Sequence, residues 1–105
     1  MDTDQLIKKY IPMTETAFYI LLSFIKARHG YDVMQHVAQL TRGRIKLGAG
    51  TMYGTITKME RDGLIEFMHE DQKRKLYYIS EAGKTVLQHE AERIKELYHN
   101  VEGWL

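Results

Sequence analysis

A chain of 105 residues, 44% hydrophobic and 28% charged, has room for one folded domain and is too apolar for a disordered tail. It holds no cysteine, which excludes disulfides and thiolate metal centres and suits a reducing cytoplasm; no run approaches a membrane span, and Met1-Asp2-Thr3-Asp4 lacks the basic start of a secretion signal. The formal net charge of +1 hides a basic middle, where Arg42, Arg44, Lys46, Lys58, Arg61, Lys73, Arg74 and Lys75 gather, while the last third is richer in glutamate.

Thr14 reads as an N-cap with Glu15 in the first turn of a helix whose Ala17, Phe18, Ile20, Leu21, Leu22, Phe24 and Ile25 cover most of its circumference. Such a helix belongs at the centre of the fold, and Gly30 is expected to end it. Tyr31, Val33, Met34, Val37, Ala38 and Leu40 mark a second helix that stops near Thr41-Arg42-Gly43. A linker from Arg44 to Ala49 leads to the third.

In that third helix Met52, Ile56 and Met59 form a core-facing stripe, and the opposite face carries Gly50, Thr51, Gly54, Thr57, Lys58 and Arg61. Each glycine inside a helix costs roughly 1 kcal/mol relative to alanine, so two of them call for a reason. Close approach to another backbone supplies one, either a nucleic-acid strand in a groove or a second protein helix. Gly63 falls where a left-handed residue stops the helix before Leu64-Ile65. Three helices in this order, the third with a small basic face, make a helix-turn-helix.

Leu64 to His69 and Arg74 to Ile79 then read as a two-stranded hairpin around Glu70-Asp71-Gln72-Lys73. A hairpin directly after a recognition helix is a wing, with Lys73 and Arg74 placed for phosphates. Ser80 caps a last helix on which Leu87, Ala91, Ile94, Tyr98, Val101 and Leu105 recur every three or four residues, with Glu90, Arg93 and Glu96 outside that seam. Val86, Leu97 and Trp104 widen it. The seam fits the same helix of a second copy, or docks on the chain's own core. The expected fold is α+β, a winged helix-turn-helix of three helices and a two-stranded wing over residues 1–80, with a C-terminal dimerisation helix over 81–105 in the same domain.

His29-Gly30-Tyr31-Asp32-Val33-Met34, Leu47-Gly48-Ala49-Gly50-Thr51-Met52-Tyr53, Met59-Glu60-Arg61-Asp62-Gly63-Leu64-Ile65, Arg74-Lys75-Leu76-Tyr77-Tyr78-Ile79-Ser80 and Glu81-Ala82-Gly83 occur in one order. Together with the Thr14-Glu15 helix they resemble the PadR family of bacterial winged-helix transcriptional regulators, over roughly residues 12 to 85. That resemblance implies a homodimeric repressor on an inverted-repeat operator, released by a small and often aromatic effector, with the C-terminal helix as the dimer contact. Here Glu70-Asp71 makes the wing tip more acidic than in many relatives.

On these grounds Thr51, Tyr53, Gly54, Thr57 and Lys58 are expected nearest the bases, and Arg44, Lys46, Arg61, Lys73 and Arg74 on phosphates. An effector cleft is expected among Phe18, Tyr19, Ile94, Leu97, Tyr98 and Trp104. No cofactor or metal is expected. His29, His36, His69, His89 and His99 form no zinc-protease pattern, and neither a phosphate loop nor a nucleophile elbow occurs, so the chain does not read as an enzyme. The rival reading is a winged helix that docks protein instead of double-stranded DNA.

Overall fold

The computed structural model describes all 105 residues: α1 (Thr3–Tyr10), α2 (Glu15–Ser23), β1 (Arg28–His29), a 3-10 turn (Gly30–Asp32), α3 (Val33–Leu40), α4 (Ala49–Arg61), β2 (Ile65–Asp71), β3 (Arg74–Ile79) and α5 (Glu81–Glu102). The fold is α+β, as the sequence implies. Two elements are additional to the expected plan. The first is α1, which Asp2 opens through a reciprocal capping box with Gln5 and which buries Leu6 and Tyr10. The second is β1, which pairs Arg28 with Tyr77 and His29 with Leu76, so that the sheet has three antiparallel strands in the order β1-β3-β2.

Forming β1 also moves the end of α2. That helix closes at Ser23, not at Gly30, and the Ile79 N–H donates to the Phe24 carbonyl at 2.9 Å, tying the chain into the sheet edge. Ile25 is consequently exposed. Tyr31, Met34 and Leu40 share the phase of α3 but are exposed as well; Val33 and Val37 alone carry its buried face.

The core joins Ile20, Leu21 and Phe24 of α2 to Val33 and Val37, to Met52, Ile56 and Met59, and to Ile65, Tyr77 and Ile79 of the sheet. Thr14 caps α2 by accepting from the Ala17 N–H at 3.1 Å, and Ser80 caps α5 by accepting from the Gly83 N–H at 3.0 Å. At the end of α4, Gly63 takes φ +80°; its N–H donates to the Glu60 carbonyl and that of Leu64 to Met59, a Schellman closure. Ser80 Oγ donates to the Gly63 carbonyl at 2.5 Å, and a Cβ placed on Gly83 lies 2.1 Å from the Leu64 carbonyl oxygen. The end of α4, the start of the wing and the start of α5 are thus closed on one another.

Along α5 the two halves differ. Gly83, Val86, Leu87 and Glu90 face the core, while Ala91, Ile94, Leu97, Tyr98 and Val101, and Leu105 beyond the helix end, are exposed. The expected seam therefore divides: Leu87 packs on this chain's own core and the remainder is open. Val86, assigned to a flanking stripe, is fully buried. Glu90, placed outside the seam, is 1% exposed, because it shares the core-facing phase of Gly83, Val86 and Leu87; there Arg93 donates to both of its carboxylate oxygens at 2.7 and 2.8 Å. Those hydrogen bonds hold its carboxyl below the usual glutamate value against the opposing effect of burial.

Candidate nucleic-acid interface

At about 100° per residue, the exposed arc of α4 runs from Tyr53 and Thr57 through Gly50, Gly54 and Arg61 to Thr51 and Lys58. A Cβ built on Gly50 or Gly54 meets nothing within 4 Å. Packing within this chain therefore does not explain those glycines, which leave the centre of the arc bare. Gly48 opens the helix with no side-chain cap.

On one flank of the arc the wing forms a cleft of about 330 Å³ with α4. Tyr53 and Thr57 line it from the helix, Lys73, Arg74 and Lys75 from the wing, and Tyr31 from the 3-10 turn. Gly30 and Ile56 form its floor. None of the three cations forms an ion pair, although Asp71 and Glu70 stand opposite Arg74 and Lys75 in the hairpin register, and the Arg74 guanidinium lies 5.1 Å from the Tyr31 ring centre. The hairpin turn is tighter than the expected four residues. Only Gln72 and Lys73 turn the chain, at φ 50° and 64°. This is the type I′ geometry that matches strand twist and favours asparagine and glycine.

On the other flank Lys58 sits 5.3 Å from the ring of Tyr10, whose hydroxyl donates to Asp62 Oδ2 at 2.6 Å. Lys9 Nζ reaches the same oxygen at 2.8 Å. Burial opposes ionisation of Asp62, but the hydrogen bonds from Lys9 and Tyr10 outweigh it and keep the carboxyl below its ordinary value. α1 is in this way fastened to the end of α4. Arg61 approaches Asp62 only to 3.8 Å and remains exposed.

The sequence-selected cations are thus not equivalent. Lys73 and Arg74 join Tyr53 and Thr57 in the cleft, while Lys46 lines a neighbouring depression with Tyr31 and Met34. Arg44 stands apart, ion-paired with Glu15 at the start of α2 and compensated there. Of the residues expected around an effector, Phe18, Tyr19 and Ile94 line one groove of about 390 Å³ with Met13, Glu90 and Arg93. Leu97, Tyr98 and Trp104 lie outside it, and Trp104 is 89% exposed. Tyr31, Tyr10 and Glu90 are the participants that helical periodicity missed; Tyr31 follows a Gly at a turn, which is the one signal that sets it apart from the α3 core face.

Three helices, an antiparallel sheet and a basic hairpin beside an open third helix define a winged helix-turn-helix protein. The family model described as the transcriptional regulator PadR-like family matches residues 19–89. The chain belongs to that family of transcriptional regulators. An uncharacterized protein from Lysinibacillus sphaericus is 31% identical over 75 residues, 68% of this chain and 66% of that protein, so the chain spans just under two thirds of that relative. A transcriptional regulator from Clostridium thermocellum superposes with a TM-score of 0.72 at 17% identity, covering 96% of this chain and 98% of that one. A PadR family regulator from Eggerthella lenta gives 0.69 at 21%, covering 95% and 85%. Bacillus subtilis PadR in complex with operator DNA gives 0.62 at 21%, covering 72% of this chain and 47% of that one. No helix is long and apolar enough to cross a membrane.

Proposed function

We propose that this regulator is a cytoplasmic homodimeric repressor that binds an inverted-repeat duplex, laying α4 in the major groove and the wing against the adjacent backbone. The observation that carries the reading is the open arc of α4, with two glycines on which an added Cβ would meet nothing, flanked by a cleft lined by Lys73, Arg74 and Lys75, none of them in an ion pair. Thr51, Tyr53, Gly54 and Thr57 face the base edges, Lys58 borders them, and Lys46, Arg61, Lys73 and Arg74 meet phosphates. That a solved PadR of similar fold is bound to operator DNA supports the same use of the face here. The exposed half of α5, with Ala91, Ile94, Tyr98 and Val101, and Leu105 just past its end, joins two copies so that two α4 helices lie about 34 Å apart, one turn of the duplex.

Release by a flat aromatic effector belongs to the same proposal, with the groove at Phe18, Tyr19 and Ile94 as the receiving site. Selection of bound duplexes from a random DNA pool at moderate salt tests the central claim. Enrichment of an inverted repeat is the expected result. Failure to enrich any sequence, with no salt-dependent binding, overturns it in favour of a protein-docking module.

A further inference from the structure

We propose that Tyr31 is a positioning residue that holds the Arg74 guanidinium over the α4–wing cleft, ready for one backbone phosphodiester; this rests on the duplex-binding reading above. Tyr31 is 64% exposed, packs in no core, and is the ridge between two depressions, one with Arg74 and the other with Lys46. Its ring is within cation–π range of the guanidinium, and no carboxylate forms an ion pair with that cation, although Asp71 stands opposite Arg74 in the hairpin register. An arginine on a hairpin is otherwise free to sample many rotamers, and a ring that narrows them before binding lowers the ordering entropy lost on contact.

Two further features point the same way. The 3-10 turn that carries Tyr31 is fixed from behind, since β1 pairs His29 with Leu76 of the strand that begins at Arg74, so ring and guanidinium ride on one sheet. The hairpin also keeps Lys73 in the left-handed region, where glycine is easier, and so retains a cation beside Arg74 at the expense of local strain. The cleft lining holds no carboxylate. Its chemistry is that of a phosphodiester cradle.

The test is a double-mutant cycle on the full chain, read as affinity and salt slope for a fluorescein-labelled mixed-sequence duplex several helical turns long. Arg74→Ala is expected to lower the slope by about one unit. Tyr31→Leu is expected to weaken binding by about threefold to fivefold with a reduced slope, and Tyr31→Phe to match the parent, because the ring face supplies the attraction. In the Arg74→Ala background Tyr31→Leu should then change nothing, and thermal unfolding of all variants should match the parent. The proposal is overturned if Tyr31→Leu binds like the parent, if its loss is the same without Arg74, or if Tyr31→Phe loses as much as Tyr31→Leu. A parent chain with no salt-dependent duplex binding is a distinct outcome and removes the underlying reading as well.

Discussion

The exposed arc of α4 and the distal half of α5 are both helix surfaces left largely open by this chain, yet their chemistry is opposite. The arc of α4 is glycine, threonine, lysine and arginine, with Tyr53 at its edge. The distal half of α5 presents Ile94, Leu97, Tyr98 and Val101, and Trp104 and Leu105 follow its end, each at least 41% exposed. Openness alone does not say what a surface is for; composition does. A contiguous apolar stripe calls for another apolar surface, whereas a small basic face tolerates a hydrated polyanion and gains from counterion release.

The largest change that would break this contrast is a pair of charges on the apolar helix. Leu97→Lys with Val101→Lys should leave the fold intact, since both side chains are about half exposed, and give a monomer by sedimentation. Affinity for an inverted repeat should then fall on the order of 100-fold, because two linked half-sites become independent. The proximal half of the same helix should respond in the opposite manner. Glu90→Gln should destabilise the monomer fold by about 2 kcal/mol in denaturant unfolding, by removing charged hydrogen bonds to Arg93.

Acid should reproduce part of that loss. The folded Glu90 carboxyl titrates below its unfolded value, so its contribution is complete above the unfolded value and disappears as pH falls through the folded one. Thermal stability of the parent should therefore hold above about pH 5 and decline below it, with a shallower decline in Glu90→Gln.

Smaller effects sharpen the α4 side. Lys58→Ala should weaken binding to every sequence and lower the salt slope by about one unit, which an unchanged slope would contradict. Gly50→Ala and Gly54→Ala should each raise folding stability by up to about 1 kcal/mol, since the added methyl meets nothing, while weakening duplex binding. A gain in stability without loss of affinity would show that the duplex backbone does not approach there.

The helix-turn-helix, its hairpin and the last helix were legible because Met52-Ile56-Met59, Thr14, Gly63 and Ser80 each act locally: a stripe, two caps and a left-handed stop. α1 was missed because its apolar positions are few, although Asp2 and Gln5 spell its capping box. β1 has two residues and exists only through pairing with Tyr77 and Leu76, distant in sequence and without a local pattern. Tyr31 and Glu90 fail by periodicity for a shared reason. Phase gives the direction of a side chain but not what stands there, and Arg74 and Arg93 supply partners that hydropathy does not count. Which cations gather in the cleft was likewise not legible, since the placement of Arg44 against Glu15 and of Arg74 against Tyr31 is set by residues distant in sequence.

The closure of Gly63, Leu64, Ser80 and Gly83 makes a rigid elbow between the reading helix, the wing and α5. From that elbow α5 extends 22 residues, a lever arm of about 33 Å. In a dimer gripped at the far end, changing the pitch of the arm by about 5° carries each reading head roughly 3 Å, without bending any part of it. A compound lodged beside the arm need only shim it by a fraction of its own thickness for the two heads to fall out of step with the turn of the duplex.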